Sequence, residues 1–380
     1  MKKIICIAVL VFLAAVFSLP VHAAAKQDDY YTRQLQESGA ADLADKLPSD
    51  TRKALENMGI EDTNWKNITS ITPKNMFDQI LSVVAGKTGE PLRAAVSVIA
   101  VMLLCALLNG MKLSFGEKPL GGVIGMVSTL CICVIVVNPI VSCIASAATI
   151  IKTAAGFLLA CIPVLAGIMI VAGQPATAGS YNLLMMGAGN VISLLSSSIL
   201  VPMMNIFLAL SIVSAVSPNI NLNGLCEAFS KSVKWIMGFC MTIFTGLLTM
   251  HGIVATALDT TGTRAAKFVV SSFVPIVGNA LGEALHTING CVKMLKSGVS
   301  AFGLLAGLFV FLPILIECLV WLLTLQVCVG IGDIFELKEI SSLLKASGEV
   351  IETLLSIILC CMMILMVSTV ILLIIGGASS

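Results

Sequence analysis

The chain has 380 residues, of which 58% are hydrophobic and only 11% are charged, and its formal net charge is +1. A soluble protein carries about a quarter charged residues because its surface faces water, so this composition excludes an ordinary soluble domain. There is no basic patch with interleaved aromatic residues, and we expect no nucleic-acid binding. The composition favours a protein whose solvent is the lipid bilayer.

The first residues have the layout of a secretory signal. Two lysines follow Met1, and an apolar run extends from Ile4 to Leu19, as in the charged and apolar regions of a signal peptide. The small residues at 21–23 predict cleavage after Ala23 or Ala25, and the first of these gives a signal peptide at 1–23. The alternative is a first membrane anchor that stays uncut. In both cases we expect the next segment on the far side of the membrane.

Residues 24–92 are more polar and predict a small helical head outside the cytoplasm. Helix breakers and caps divide it into three short helices, with boundaries near Pro48, Gly59 and Pro73. Apolar side chains share one face of the third helix, and these are Met76, Phe77, Ile80, Leu81 and Val84. We expect that face to pack within the head, or else to dock on the membrane body or on a partner.

Residues 93–380 form the predicted membrane domain. Between Lys118 and Glu227 the only charged residue is Lys152, and about 20 apolar residues suffice for a helix to cross the hydrocarbon core. The predicted fold class is therefore all-α, a polytopic transmembrane helical bundle with about seven to nine spans. We place the spans at roughly 93–111, 119–138, 153–173, 182–201, 203–217, 234–256, 299–316, 318–331 and 350–376.

Three stretches of this body allow two interpretations. The spans around Pro202 and around Glu317 are each either two close-packed helices with a tight turn or one long broken helix. Residues 139–151 are either a re-entrant segment or a continuing one. Lys112 and Lys118 lie in the first loop after the first span, which agrees with a cytoplasmic position for that loop.

Small residues recur within several spans, and they predict close approach of helices in lipid. Examples are Gly121 with Gly125, Gly187 with Gly189, and Gly303 with Gly307. The close contacts are expected either inside the bundle or with other membrane subunits.

No pattern in the chain is typical of a catalytic, cofactor or metal site. His-Glu-x-x-His and Gly-x-Ser-x-Gly are both missing, and the run 86–88 resembles the end of a P-loop but has Leu81 in place of the first glycine. A Gly-x-Gly-Asp run ends at Asp333 and resembles that of intramembrane aspartyl proteases, which need a second carboxylate. Asp259 is the only other aspartate near the membrane region. We predict no enzymatic activity, no cofactor and no metal.

Ionisable residues inside lipid are functional candidates by default. Lys152, Glu227, Glu283 and Glu317 qualify by position, although each is also compatible with a turn that water reaches. The cysteines outside the signal lie in apolar runs, where thiols act as small hydrophobes.

The most pointed pattern follows the sixth predicted span. It consists of Arg264, Lys267, Phe268, Phe273, Pro275 and Gly278. Because Arg264 and Lys267 are three residues apart, they share one helical face. This predicts an interfacial helix whose cations meet lipid headgroups or the C-terminal ends of other helices, followed by a kink or break. The alternative is an ordinary positive-inside loop.

On these residues the chain resembles the stage III sporulation protein AE family of endospore-forming bacteria. The spacing continues to Lys293, Lys296 and Gly303, and Ser271 and Ser272 stand where the family is expected to have a glycine. The resemblance covers the whole chain, from signal peptide through head to polytopic body. The six motif residues are thereby candidates for an interfacial or assembly role.

The resemblance implies a role that composition alone does not give. Such proteins are expected in the mother-cell membrane around the forespore, with the head in the intermembrane space. Their implied partners are the other membrane and ring-forming subunits of one operon, a cytosolic ATPase and a forespore membrane partner. The implied function is that of a non-enzymatic subunit of a channel or secretion-like complex needed for spore formation after engulfment. A secondary transporter or permease in the same membrane is the alternative.

Overall fold

The computed structural model describes residues 28–60, 62–63, 72–115, 120–194, 200–216, 223–273 and 278–375. In these ranges the structure contains helices and no strand, so the predicted all-α class is confirmed. The predicted signal peptide at 1–23 lies outside the described residues. The helices are α1 (Asp28–Glu37), a 3-10 helix (Ala41–Lys46), α2 (Ser49–Glu56), α3 (Pro73–Lys87), α4 (Gly89–Phe115), α5 (Leu120–Val171), α6 (Pro175–Leu194), α7 (Val201–Val216), α8 (Asn223–Phe273), α9 (Gly278–Ile334) and α10 (Lys338–Ile375).

Within the described ranges, five helices contain segments that are long and apolar enough to cross a membrane. These segments are Gly89–Leu108, Met126–Val171, Gly224–Asp259, Gly290–Ile334 and Lys338–Val370. A shorter apolar stretch, Val201–Ser214, lies in α7. The multi-spanning character is therefore present, but the predicted number of seven to nine spans is not confirmed.

The difference arises mainly because two predicted spans can lie in one helix. The spans predicted at 119–138 and 153–173 belong to α5, whose 52 residues run without a break through 139–151. The continuing interpretation of that stretch is thus correct. Pro139 and Pro163 both lie inside α5, because neighbouring helices and local adjustment of the backbone allow a membrane helix to contain proline.

The same happens at Glu317, which lies inside the continuous helix α9 and not at a turn. A 57-residue helix is about 85 Å long at 1.5 Å per residue, well beyond a hydrocarbon core of about 30 Å. Near Pro202 the described part of α6 reaches Leu194 and that of α7 begins at Val201; residues 195–199 lie outside the described residues, and both interpretations of that stretch stay predictions. The long helices therefore extend outside any single bilayer that they cross.

The centre of the bundle is an antiparallel pair formed by α9 and α10. The tight turn between them holds Glu336 at a φ of 54°. A Cβ added to Gly303 would lie 3.3 Å from Thr369 Cγ2, and one added to Gly307 would overlap Leu365. At the turn end, a Cβ on Gly332 would lie 2.7 Å from Ser341 Oγ. Small residues therefore bring the two helices close at three positions of the pair, Gly303, Gly307 and Gly332.

The other helices pack around this central pair. Helices α5 and α7 both contact α10, α5 also contacts α9, and α8 packs on α10, α6 and α7. On the other side, α4 lies against α5 and α9. A Cβ on Gly189 of α6 would lie 2.7 Å from Leu159 Cδ2 of α5, whereas one on Gly187 would meet nothing within 4 Å. The prediction of close helix packing is thus confirmed at Gly189, Gly303 and Gly307, all within the bundle.

The N-terminal helices lie on the bundle. The predicted first helix is divided, because Gly39 adopts a φ of 72° between α1 and the 3-10 helix; Gly59 has a φ of 83° near the end of α2. Leu43 and Leu55 are buried in the common hydrophobic core. Arg52 faces water and donates to Glu56 at 2.8 Å, and the Glu56 hydrogen bond together with the nearby Asp45 raises the pKa of its guanidinium.

Helix α3 begins at Pro73, as predicted, and packs on α9 and α4. Its apolar face therefore docks on the membrane body, so the expectation that it packs within the head was wrong. Two residues of that face, Phe77 and Leu81, remain 61% and 48% exposed. The N-terminal helices thus add their own contacts to the bundle but leave part of α3 open.

We expect Gly307→Ala to destabilise the bundle by about 1–3 kcal/mol, because the new methyl group enters the space of Leu365. The matched control is Gly187→Ala, whose methyl group meets open space and removes a helix-weakening glycine. Thermal unfolding of both variants in the same detergent measures the difference. Equal melting temperatures would show that α9 and α10 are not closely packed at this point.

Candidate functional site: a polar cavity at one end of the bundle

A polar cavity of about 460 Å³ lies where the α9–α10 turn meets the end of α7 and the start of α8. Its volume is within the range of small-molecule sites, about 300–1,000 Å³. The side chains around it carry hydroxyls and charges of both signs. They include Ser211, Ser214, Cys226, Glu227, Asp333, Lys338, Ser341, Ser342, Lys345 and Glu349.

The deepest part of this cavity is lined by hydroxyl and thiol groups. Ser211, Ser341 and Cys226 are 1%, 2% and 4% exposed, respectively. Ser211 Oγ donates to Cys226 Sγ at 3.7 Å. Hydroxyl groups both donate and accept hydrogen bonds, so the floor of the cavity is suited to small polar molecules.

The mouth of the cavity carries charged side chains that water reaches. Lys345 Nζ donates to Asp333 Oδ2 at 3.1 Å, and Lys231 pairs with Glu227 at 2.6 Å. Exposed pairs of this kind add little stability, about 0–1 kcal/mol each. Their main effect is to place positively and negatively charged side chains together at the entrance of the cavity.

Asp333 and Asp259 are not brought together. Asp333 lies at the α9–α10 turn beside Lys345, whereas Asp259 binds the start of α6. An aspartyl protease needs two carboxylates that share a proton, so the dyad considered for Asp333 and Asp259 does not exist in this arrangement.

Asp259 has a structural task that the sequence did not reveal. Its buried carboxylate accepts hydrogen bonds from the backbone N–H of Ala176 at 2.9 Å and of Thr177 at 2.8 Å. It also accepts one from Thr177 Oγ1 at 2.7 Å. These N–H groups are among the first of α6, which have no partner within their own helix. An aspartate of α8 thus caps α6, where Gln174 precedes Pro175 in place of an ordinary capping residue.

Two ion pairs connect the helices midway along the bundle. Lys87 at the end of α3 donates to Glu317 Oε2 of α9 at 2.7 Å, and Lys234 of α8 donates to Glu352 Oε1 of α10 at 3.1 Å. Of the ionisable candidates, Glu317 is thus paired with Lys87, and Glu227 is paired with Lys231 in its own helix. The side chain of Lys152 is exposed. The side chain of Glu283 lies outside the described residues.

The predicted interfacial motif is divided between two helices and the residues around them. Arg264, Lys267, Phe268 and Phe273 lie in the last part of α8, and Gly278 is the first residue of α9. Pro275 lies outside the described residues, and so do the side chains of the other five. The segment 264–273 is helical and not a loop. Its place at the membrane interface stays a prediction.

The cysteines and acids do not assemble into a metal site in the described part of the chain. Cys143 of α5 and Cys318 of α9 lie 3.5 Å apart between their sulfur atoms, but no group of three or more His, Cys, Asp or Glu side chains occurs there. Zinc takes three or four such ligands. The thiol pair is therefore a packing contact between two helices.

The helices, the paired charges and the polar cavity together define a polytopic, all-helical membrane protein. The family model of stage III sporulation protein AE matches residues 59–376, so the chain belongs to that family. A curated relative, stage III sporulation protein AE of Bacillus subtilis (strain 168), is 24% identical over 207 residues. The match covers 54% of this chain and 52% of the relative, so the chain spans about half of that relative's length. No solved structure matches.

Membership in this family confirms the resemblance on which the sequence interpretation rested. The family is one of stage III sporulation proteins, and the five apolar helical segments fit a membrane protein of such a family. The family match begins at Gly59, so α3–α10 lie inside it and α1 and α2 lie outside it. The cavity and both interhelical ion pairs therefore belong to the family region.

We expect Asp259→Ala to lower the free energy of unfolding by about 1–3 kcal/mol, because two helix N–H groups lose a charged acceptor. Asp259→Asn keeps one carbonyl acceptor and is expected to cost less. The matched control is Thr261→Ala on the same helix, where the hydroxyl is exposed and bonds only to its own helix. Thermal unfolding in detergent compares the three, and a loss for Thr261→Ala as large as for Asp259→Ala would remove the capping explanation.

Proposed function

We propose that the chain is a non-enzymatic, multi-pass subunit of a channel or secretion-like complex that connects the mother cell with the forespore. The observation that carries the proposal is the family match over residues 59–376, combined with five helical segments able to cross a membrane. The polar cavity and the interhelical ion pairs support this proposal, because they show a membrane domain that accommodates polar and charged side chains.

The proposed topology has three parts: a signal peptide at 1–23, an extracytoplasmic head at 24–92 and a membrane domain at 93–380. The membrane is that of the mother cell around the forespore, and the head lies in the intermembrane space. Lys112 and Lys118 after the first span support this orientation. The polar cavity lies at the far end of α4 from Lys87, so in the proposed orientation it would face the cytoplasm.

The partners in this proposal are the other membrane and ring-forming subunits of the same sporulation operon. A cytosolic ATPase would supply energy, since the run 86–88 lacks the first glycine of a P-loop. A forespore membrane protein would complete the connection across the intermembrane space. Arg264, Lys267, Phe268, Phe273, Pro275 and Gly278 are the proposed interfacial or assembly residues.

Deleting the gene in the spore-forming host is expected to stop development after engulfment, and the wild-type gene is expected to restore heat-resistant spores. Asp333→Asn should restore them as well, because no catalytic step depends on that carboxylate. The measurement is the count of heat-resistant spores, together with co-purification of the operon's other products. Normal spore counts without the gene, or failure of Asp333→Asn at normal protein levels, would contradict the proposal.

The polar cavity specifically favours a second candidate, a secondary transporter that works without partners. In that case the purified chain in liposomes would move a small polar solute, and Ser342→Phe at the cavity wall would slow the transport. Ser356→Phe, elsewhere on α10, is the matched control. We expect no transport by the isolated chain under these conditions, because the complex is proposed to need its other subunits.

A further inference from the structure

A lysine of α9 is buried in the bundle without a counter-charge. Lys296 is 5% exposed, and within the described part of the chain its Nζ atom has no hydrogen-bond partner. One turn further along α9, Ser300 is 1% exposed and its hydroxyl group has no partner there either. A buried charge that lacks a partner destabilises the arrangement that buries it. The elements that cover Lys296 therefore do so against the cost of taking its ammonium group out of water.

The directions of the neighbouring helices show what lies at the height of Lys296. Lys87 pairs with Glu317, and Met102 reaches Gly332 the same number of residues further along both parts of the chain. Helix α4 therefore runs parallel to α9. Only a short connection joins the end of α4 to the start of α5, so α5 returns antiparallel to α9.

One contact fixes the register between α5 and α9. The sulfur atoms of Cys143 and Cys318 lie 3.5 Å apart. Val164 follows Cys143 by almost the same number of residues as Lys296 precedes Cys318, and both helices rise by about 1.5 Å per residue. Val164 and Lys296 are therefore at nearly the same height. A Cβ on Gly39 would lie 3.9 Å from Val164 Cγ2, so this is also the height at which the N-terminal helices dock.

Three short helices cover this height, and we call them together the N-terminal cover (28–60). They are α1, the 3-10 helix and α2, of which α1 and α2 both contact α9. Leu43 and Leu55 of the cover are 0% and 1% exposed and belong to the common hydrophobic core. The acids of the 3-10 helix, Asp42 and Asp45, are exposed instead, and Asp45 pairs with Arg52 at the surface. The cover is therefore held by apolar contacts, and these two acids do not neutralise Lys296.

The end of α10 offers Lys296 a partial negative charge. Gly303 of α9 faces Thr369 in the antiparallel pair, so the last turn of α10, which ends at Ile375, lies near the height of Lys296. The C-terminal end of a helix carries about half a negative elementary charge. This charge attracts the ammonium group, but it does not replace the full counter-ion and the hydrogen bonds that water provides.

We propose that the N-terminal cover opens reversibly, and that the buried charge of Lys296 is what favours its opening. In the closed state the apolar side chains of the cover are buried, which stabilises that state, while Lys296 is held without a counter-charge, which destabilises it. In the open state the ammonium group of Lys296 reaches water and becomes available to anionic groups. The two effects oppose each other, so both states are populated.

The cover and the lysine belong to different parts of the chain. The family match begins at Gly59, so Lys296 lies inside the family region and the cover lies almost wholly outside it. This inference goes beyond the proposed function, which a head that never moves also satisfies. It assigns to the cover the control of access to Lys296.

Amine labelling of the full chain in lipid nanodiscs tests the opening directly. A water-soluble N-hydroxysuccinimide ester modifies lysines that water reaches, and mass spectrometry measures the rate at Lys296 relative to the exposed Lys152. We expect slow labelling of Lys296 that becomes about tenfold faster in Leu43→Ala, which removes a buried contact of the cover. Gln36→Ala, on the exposed side of α1, is the matched control and is expected to leave the rate unchanged. Complete protection of Lys296 in the wild type and in Leu43→Ala would overturn the proposal.

A second variant tests whether Lys296 itself favours the opening. The helices of the cover have 10, 6 and 8 residues, too few to persist alone in water, so their amides exchange with deuterium when the cover opens. Lys296→Met keeps an unbranched side chain and removes the charge. We expect it to slow exchange in Ser49–Glu56 about tenfold, the change that corresponds to about 1.4 kcal/mol, and Lys152→Met to leave exchange as it is. Unchanged or faster exchange in Lys296→Met would show that the lysine does not oppose closure, and the proposal would fail.

Discussion

The close contact between α9 and α10 is the constraint on which the rest of the bundle depends. In lipid the hydrophobic effect does not drive helices together, because acyl chains are as apolar as leucine, and dispersion between close surfaces has to do so. Gly303 and Gly307 allow this closeness, and Trp321 and Leu354 are almost fully buried along the same pair. Helices α5, α7 and α8 then contact α10, and α3 and α4 contact α9 on the other side.

The polar side chains inside the bundle are hydrogen-bonded in several places, because an unsatisfied donor or acceptor is costly in an apolar environment. Ser368 donates to the carbonyl oxygen of Ile364 at 2.6 Å, four residues earlier in its own helix. Ser230 and Thr353 bond to each other at 2.7 Å between α8 and α10. Asp259 satisfies the start of α6. These polar side chains are thus structural, whereas the charged side chains at the mouth of the cavity, such as Lys345 and Glu227, are accessible to other molecules.

The family match and the structure divide the chain at different places. The match begins at Gly59, yet Leu43 and Leu55 from the preceding helices are buried in the same hydrophobic core as the bundle. Lys87, just inside the family region, pairs with Glu317 and links α3 to the central pair. The N-terminal helices therefore serve as a cover for one side of the bundle, and the opposite side, along α8, has no comparable cover within the described chain.

The sequence by itself determined the helical, membrane-embedded class. Its charged residues can be counted directly, and they are too few for a surface that faces water. It also determined the start of α3 at Pro73, the special backbone of Gly59 and the small residues that meet other helices, since each depends on local geometry. Only the tertiary structure decided that two apolar runs form one helix in α5, that Glu317 pairs with Lys87 and that Asp259 caps α6. The physical reason is that the contacts of Glu317 and Asp259 join residues from 82 to 230 positions apart, and no local pattern encodes which distant helices become neighbours.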